Sequence, residues 1–415
     1  KEDEYLRDGV TEDIITELSK IKGLKIFSRS TVLSYRDKPV TPAQIGQQLG
    51  AAYLLSGSLR RAGTRLRINA ELVDTQNDFP LWSERYDREM KDVFEVQDEI
   101  ARKIAEALRI TLSPQEQEAL AAKPTEDLQA YDLYLRGKSF ARRLTRQDHE
   151  FALQMFENAV AMDPDFAIAH AAIGNVCAFY HLHFERADRW IERAVAASEK
   201  ASSLGKDAPE IRVAEAWIHY AQEEYDSAIQ RVREAIERKP DCEGAYYLLG
   251  RALFAAGNYQ DVVDMADAAI ANAGEDYNIY VPVINAAGAL GKDDVVRNAV
   301  QQRIELLEAH LKKVPEDARG RTLLATDYAF VGRPEDAERD ATLAMTLRPN
   351  DAMVMYNVAC VFGQLGKKSE ALDAIKKAWE AGFKDRSWAR RDPDLAILHD
   401  DPEFQKRYPR GDDDS

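Results

Sequence analysis

Residues 332–366, GRPEDAERDATLAMTLRPNDAMVMYNVACVFGQLG, contain the pattern on which the fold of most of this chain depends. A glycine stands at each end of the stretch, 34 residues apart, and Gly257 and Gly291 are separated by the same interval. A fixed period of this length is typical of stacked helical hairpins, because one hairpin cannot bury its apolar face without its neighbours. The pattern predicts that most of the chain is a binding scaffold.

Composition and charge narrow the possible functions. The chain has 415 residues, 45% of them hydrophobic and 31% charged, which is typical of a folded protein. Its net charge is −16, and nearly all of that charge lies after residue 115. Such an acidic region repels phosphate backbones, so we expect no nucleic-acid partner. Cys177, Cys242 and Cys360 lie far apart in apolar helical patterns, which predicts buried thiols.

Residues 1–111 alternate between helical and strand patterns and predict a small mixed α/β domain. The expected elements are a helix over 9–21, a strand around Ile26, a short helix over 42–49, a hairpin turning at 62–64, a further strand over 80–89 and a helix over 93–108.

Three stretches of this domain carry a resemblance to a known family. They are EYLRDGVTEDIITELSKIKGLKIFSRST (4–31), GAAYLLSGSLRRAGTRLRINAELVD (50–74) and LWSERYDREMKDVFEVQDEIARKIA (81–105). Together they resemble the TolB/FlgO-like α/β domain of bacterial multidomain regulators. That family begins with an apolar strand before the position of Glu4, which this chain lacks. The resemblance therefore implies an unpaired sheet edge through which the protein could self-associate.

Residues 112–129 predict a helical connector, and residues 130–385 resemble an array of about seven tetratricopeptide (TPR) hairpins. The interval between Gly174 and Ala216 is 42 residues, and that between Gly291 and Gly332 is 41. Each exceeds the 34-residue period by about two helical turns. We therefore expect lengthened second helices in units two and five. The predicted fold class is α+β, with an α/β domain followed by an all-α TPR superhelix.

The resemblance to TPR proteins implies a groove lined by one face of each first helix, which would bind a protein or peptide. Aromatic and arginine side chains dominate binding hot spots, although the same stripe is also compatible with packing between repeats. The acidic array favours a ligand with some positive charge, while Arg251 suits an isolated carboxylate. The candidate groove residues are Tyr131, Tyr134, Lys138, Arg142, Asn175, Phe179, Trp217, Tyr220, Tyr247, Arg251, Phe254, Asn285 and Tyr356.

Residues 386–410 predict a helical cap that covers the open end of the last repeat, and residues 411–415 predict a disordered tail. Two Asp-Pro pairs, at Asp392 and Asp401, are suited to starting short helices. The apolar residues expected to cover the last repeat are Trp388, Leu395, Ile397, Leu398 and Phe404.

The sequence offers little that could support catalysis. No paired nucleophile and base is present, and His181-x-His183 is the only hint of a metal site; we interpret both histidines as structural. We predict no catalytic residue, cofactor or metal. The leading hypothesis is a non-catalytic interaction and regulatory module, part of a larger bacterial signalling protein such as a kinase, cyclase or winged-helix regulator. The alternative is small-ligand or nucleotide sensing by the α/β domain, relayed through the array. The compartment stays open between the cytoplasm and the periplasmic side of a membrane-anchored receptor.

Overall fold

The computed structural model divides the chain into two compact units. Unit 1 comprises Lys1–Arg136 with Asn158–Phe166, and unit 2 comprises Gly137–Glu157 with Ala167–Ser415. Unit 1 therefore extends beyond the predicted domain end at residue 111. The structure describes residues 4–21, 23–27, 31–32, 35–36, 38–63, 65–89, 93–121, 123–204, 208–240, 242–273 and 276–409. The predicted tail over 411–415 lies outside these residues.

Unit 1 contains a three-stranded antiparallel sheet in the order β1–β2–β3. Apolar side chains of the sheet pack against helices to form the core of this unit. Its elements are α1 (Glu4–Ser19), α2 (Pro42–Leu49), β1 (Tyr53–Ala62), β2 (Arg65–Asp74), β3 (Phe79–Glu89), α3 (Val93–Ala107) and α4 (Pro114–Ala121). The hairpin, the third strand and the helix over 93–108 form as predicted. The connector over 112–129 contains α4, and its role as a connector stays a prediction.

Local sequence explains the ends of α2 and the faces of β2. The Thr41 hydroxyl accepts a hydrogen bond from the Gln44 backbone at 3.3 Å, and the Gln44 side chain accepts one from the Thr41 backbone at 2.8 Å. Gly50, with a φ of 67°, ends the helix in the left-handed region. Every second side chain of β2 from Leu66 to Leu72 is buried in the core.

The expected strand around Ile26 is not formed. Residues 24–27 are neither helical nor extended in the sheet, and residues 28–30 lie outside the described part of the chain. A strand needs a neighbouring ladder to satisfy its backbone groups. Among the described residues β1 pairs only with β2, so nothing continues the sheet towards Ile26. Self-association through an exposed sheet edge stays a prediction.

Seven helical hairpins follow one another along the sequence over residues 128–381, as the 34-residue period predicts. Their helices are α5 (Leu128–Ala141), α6 (Arg146–Met162), α7 (Ala167–His183), α8 (Asp188–Leu204), α9 (Pro209–Ala221), α10 (Tyr225–Arg238), α11 (Ala245–Ala255), α12 (Tyr259–Asp264), α13 (Ala266–Ala273), α14 (Tyr280–Ala289), α15 (Asp293–Lys313), α16 (Ala318–Phe330), α17 (Pro334–Leu347), α18 (Ala352–Gln364) and α19 (Lys368–Ala381). Two short helices, α20 (Arg386–Arg391) and α21 (Pro402–Arg407), flank a 3₁₀ turn over Pro393–Leu398.

The glycines that set the period stand in the turns inside the hairpins. Gly257, Gly291, Gly332 and Gly366 have φ values of 81°, 66°, 78° and 71°. This left-handed conformation is costly for residues with a Cβ, so the same turn requires glycine in successive repeats. The 34-residue period in the sequence therefore reflects the recurrence of the same left-handed glycine turn in successive hairpins.

The two long intervals have different structural origins. In the fifth hairpin the second helix, α15, runs for 21 residues, which confirms the expected lengthening. In the second hairpin the extra residues are shared between the two helices, because α7 and α8 each contain 17 residues. The expected lengthening of the second helix is therefore present there, and the first helix is lengthened as well. The three cysteines are buried and free, as predicted.

Candidate binding face of the helical array

Residues 383–398, which we call the C-terminal segment, lie against first helices of several repeats within unit 2. Five of the side chains that they contact are called the inner face. The inner face consists of His183, Tyr220, Arg251, Phe254 and Tyr356.

Gly382 turns the chain from α19 into the C-terminal segment. Its φ of 112° is left-handed, and a Cβ at this position would overlap the carbonyl oxygen of Phe184. The guanidinium of Arg146 donates to the same Phe184 oxygen and to the Ala381 carbonyl at 3.4 Å. A larger residue at 382 would meet both a conformational and a steric obstacle. The end of α19 is thereby fixed against the end of α7.

Asp385 connects the C-terminal segment to two first helices. One carboxylate oxygen accepts a hydrogen bond from the backbone of Trp388 at 3.1 Å and caps α20. The other accepts from the Arg251 guanidinium and from the Tyr220 hydroxyl at 3.4 Å. One side chain therefore starts a helix and anchors it to the array.

Arg251 is saturated with partners although it is only 2% exposed. It donates to the hydroxyls of Tyr220 and Tyr247, each at 3.1 Å, and the Trp388 ring centroid lies 4.6 Å from its guanidinium carbon. Burial alone would lower the pKa of Arg251, but the two tyrosines and Asp385 raise it well above its usual value. The guanidinium is therefore a permanent buried cation that needs a carboxylate beside it.

Asp392 repeats the arrangement seven residues later. One oxygen accepts from the Asp394 backbone at 3.0 Å and caps the 3₁₀ turn. The other accepts from the Tyr356 hydroxyl at 2.7 Å and from the Cys360 thiol at 3.7 Å. Burial raises the pKa of Asp392. The C-terminal segment is thus held on the array by two helix-capping aspartates.

Cys360, Asp392 and Asp394 each place a metal-ligand type of atom within 4.8 Å of the others. The hydrogen bonds already described use both oxygens of Asp392, and Asp394 accepts from Gln364 at 2.5 Å. Burial raises the pKa of the Cys360 thiol well above its usual value, which favours the neutral thiol over the thiolate that binds metals. These three side chains therefore fit a role in anchoring the C-terminal segment better than a role as metal ligands.

Phe383 packs between an aromatic ring and an imidazole. It stacks on Tyr356 with centroids 4.1 Å apart, and the His183 ring lies 6.0 Å away. His183 is fully buried in α7, and neither ring nitrogen has a hydrogen-bond partner among the described residues. Burial lowers its pKa well below the usual value. His181 differs, since its ring bonds the Ala187 carbonyl at 3.0 Å.

Several predicted groove residues come together on or directly behind the inner face. Tyr220, Arg251, Phe254 and Tyr356 contact the C-terminal segment. Behind them the Trp217 ring lies 5.5 Å from Phe179, 5.9 Å from Tyr220 and 6.3 Å from Tyr247.

The other predicted groove residues lie elsewhere. Tyr131 and Tyr134 are buried within unit 1, where Tyr131 packs on Phe94 at 4.6 Å and Tyr134 on Phe166 at 5.2 Å. They therefore contribute to packing within that unit.

Lys138 and Arg142, by contrast, pair with the carboxylate of Glu243 within unit 2. Asn175 is half-buried and Asn285 is buried. The helix that carries Asn285, α14, contacts the 3₁₀ turn of the C-terminal segment, and a binding role of either asparagine stays a prediction.

Trp388 was expected over the open end of the last repeat, but it lies on Arg251 and on Phe254, at 4.9 Å between rings. The sequence indicated that Asp392 starts a helix, but not that residues 383–392 lie on the predicted groove. The available signal was the alternation of capping aspartates with Phe383 and Trp388 directly after the last repeat. Phe404 is buried near α19, in keeping with a cap on the last repeat.

Two family models match parts of the chain. Residues 213–277 match the model of the tetratricopeptide repeat. Unit 2 carries tetratricopeptide repeats. Residues 1–103 match a model described as HilA/YgeH-like transcriptional regulator, second domain. The resemblance of this region to the TolB/FlgO-like domain stays a prediction.

A curated relative covers part of the chain. The chain is 40% identical over 169 residues to a protein of Rhizobium meliloti (strain 1021) named Putative adenylate cyclase 3. The match covers 41% of this chain and 29% of that protein, so the chain spans less than a third of its relative.

Solved TPR proteins are similar at lower identity. One from Parabacteroides merdae ATCC 43184 is 16% identical with a TM-score of 0.36, over 62% of this chain and 94% of that chain. One from Thermus thermophilus is 21% identical with a TM-score of 0.35, over 45% of this chain and 99% of that chain. Among the described residues, no helix has the length and apolar character needed to cross a membrane.

Proposed function

We propose that the inner face binds a protein or peptide partner through a short segment that begins with a helix-capping aspartate and continues with an aromatic residue. The chain's own C-terminal segment occupies that face as an intramolecular ligand. The observation that carries this proposal is the ion pair between Arg251 and Asp385, both nearly inaccessible to solvent.

The chemistry of the face supports a carboxylate-bearing partner over a cationic one. A buried guanidinium that loses its carboxylate costs several kcal/mol, so a partner that displaces Asp385 must supply an equivalent anion. Arginine between tyrosines and a tryptophan is also the composition of binding hot spots. Tyr356 offers a second hydroxyl donor for a second capping aspartate.

The proposed role is that of a non-catalytic scaffold within a larger signalling protein. Two findings support it. One is the match of residues 213–277 to the tetratricopeptide repeat, and the other is the similarity to the Rhizobium meliloti protein named Putative adenylate cyclase 3.

A peptide competition experiment tests the proposal. A fluorescent peptide with the sequence of residues 383–398 is titrated into the wild-type chain and into a chain carrying Asp385→Ala and Trp388→Ala. We expect binding to the double variant to be at least about tenfold tighter, because its own segment no longer competes. A peptide carrying Asp385→Ala should bind neither chain.

Asp401→Ala is the matched control. Asp401 caps α21 and pairs with Lys368 without contacting the inner face. This variant should bind the peptide as weakly as the wild type does. If the double variant only melts at a lower temperature and binds no peptide, the C-terminal segment is a structural cap and the proposal is wrong.

A further inference from the structure

A cavity of about 990 Å³ lies within unit 2 beside the turn at Gly382. Its walls come from the start of α6, the end of α7, the loop between α17 and α18, the end of α19 and the first residues of the C-terminal segment. Its volume is at the upper end of the range typical of small-molecule sites. Its cationic lining residues are Arg146, Arg186, Lys377, Lys384 and Arg386.

The cavity concentrates positive charge in an otherwise acidic chain. Glu185 and Glu380 also line it, so the cations exceed the carboxylates by three, although the chain as a whole has a net charge of −16. Glu185 already accepts hydrogen bonds from Arg189 at 2.5 Å and from the Trp190 indole at 3.1 Å. A concave surface lined by one sign of charge raises the local concentration of ions of the opposite sign.

Three of the five cations form no ion pair with a carboxylate in the part of the chain that the structure describes. Arg386 is exposed and makes neither an ion pair nor a hydrogen bond there. Lys384 donates to the Trp379 carbonyl at 2.6 Å, and Arg146 donates to backbone carbonyls. By contrast, Arg186 pairs with Glu223 at 3.1 Å and Lys377 with Asp373 at 2.7 Å.

The surroundings of Lys384 reflect this excess of positive charge. Burial, followed by the charges of Arg386 and Arg407, lowers the pKa of Lys384 to about 8, against a smaller opposing effect of Glu380. The ammonium lies 3.4 Å from the centroid of the Trp379 ring. An anion in the cavity would relieve the repulsion between these cations.

We propose that this cavity binds a small molecule that carries two or more adjacent phosphate groups. Guanidinium groups bind phosphate oxygens in pairs. Of the three cations that form no ion pair, Arg146 comes from the start of α6, and Lys384 and Arg386 come from the C-terminal segment. Trp379 also lines the cavity, and the Lys384 ammonium lies against its ring. Pyrophosphate and a nucleoside diphosphate share this chemistry.

Calorimetry with the full chain tests the proposal, with pyrophosphate and adenosine diphosphate as separate probes. We expect saturable binding of pyrophosphate at one site per chain. Tighter binding of adenosine diphosphate would show that the cavity also contacts the nucleoside, and equal affinity would show that the phosphates alone are recognised. Lys377→Glu and Arg386→Glu should each weaken pyrophosphate binding by at least about tenfold, because each replaces attraction with repulsion.

Lys376→Glu is the matched control, since Lys376 is an exposed neighbour on α19 that does not line the cavity. It makes the same change in net charge and should alter the affinity by less than about twofold, because exposed charges outside the site are screened by salt. The proposal is wrong if the wild-type chain shows no saturable binding at millimolar pyrophosphate. Equal weakening by Lys376→Glu and Lys377→Glu would also overturn it, since binding would then follow net charge alone.

Discussion

At the scale of single residues, Asp385 and Asp392 each serve two elements. One oxygen caps a short helix or turn, and the other accepts from a side chain of the array. The capping role of Asp392 could be predicted from the sequence, because it depends on the proline that follows. The anchoring role could not, since Arg251 and Asp385 are 134 residues apart and no local pattern links them.

Two buried histidines predict a loss of stability in acid. Burial lowers the pKa of His149 from 6.5 to about 4, and that of His183 well below 6.5. The unfolded chain therefore binds protons below pH 6.5 that the folded chain does not. The free energy of unfolding should fall as the pH decreases below 6.5, with a limiting slope of about 1.4 kcal/mol per pH unit for each histidine that stays neutral in the folded chain.

The variant His183→Leu should remove about half of that dependence in urea unfolding measured at several pH values. Leucine keeps the apolar contact with Phe179 and cannot be protonated. An undiminished slope in His183→Leu would mean that other groups cause the acid sensitivity.

In the buried ion pair between Arg303 and Asp327, we expect the stability of the protein to depend strongly on the presence of both charges. The guanidinium and carboxylate are joined by two hydrogen bonds of 2.9 and 2.6 Å, and both side chains are almost inaccessible. Arg303→Met should lower the free energy of unfolding by about 3–5 kcal/mol, because Asp327 is left buried without a cation.

The double variant Arg303→Met with Asp327→Leu should recover most of that loss, since neither buried charge remains. Arg297→Met, which breaks an exposed pair with Asp294, should change stability by less than about 1 kcal/mol. Urea unfolding of the four chains provides the comparison. A double variant no more stable than Arg303→Met would contradict the expectation.

At the scale of elements, the sequence predicted those that depend on local signals. The capping box of α2, the alternation along β2 and the glycine turns of the hairpins each follow from residues close together in the chain. The strand around Ile26 was wrong because a strand also needs a neighbour to pair with. The position of the C-terminal segment was missed because it depends on contacts between residues far apart in sequence.

Gly363 in α18 lies where the C-terminal segment packs closely against the array. A Cβ at this position would overlap the Asp394 carbonyl oxygen, which belongs to the backbone and cannot rotate away. Gly363→Ala should therefore loosen the C-terminal segment and destabilise the protein. Gly288→Ala is the matched helical control, because a Cβ there meets nothing within 4 Å, and it should stabilise by about 0.5 kcal/mol.

Limited trypsin digestion measures this loosening directly, since the C-terminal segment contains Lys384, Arg386, Arg390 and Arg391. Cleavage in the segment should be faster in Gly363→Ala than in the wild type, and unchanged in Gly288→Ala. Equal cleavage rates in all three chains would mean that α18 can move to accommodate the methyl group.

At the scale of the whole molecule, the net charge of −16 acts against the folded state. Like charges on a compact protein repel one another, and salt screens exposed charges far more than buried pairs such as that of Arg251 with Asp385. Raising sodium chloride from about 10 to about 200 mM should therefore raise the melting temperature by roughly 2 °C or more. Potassium chloride should act equally, and a decrease would mean that exposed ion pairs outweigh the repulsion.

The position of the C-terminal segment also sets an order of events during translation. Arg251 leaves the ribosome 134 residues before Asp385. At about 5–20 residues per second, this difference corresponds to roughly 7 to 27 seconds. During that interval the hairpins around Arg251 are synthesised while their own ligand does not yet exist. Under the proposed function, a partner present at the ribosome would meet an uncovered face, whereas one that arrives after synthesis would compete with a segment tethered beside it.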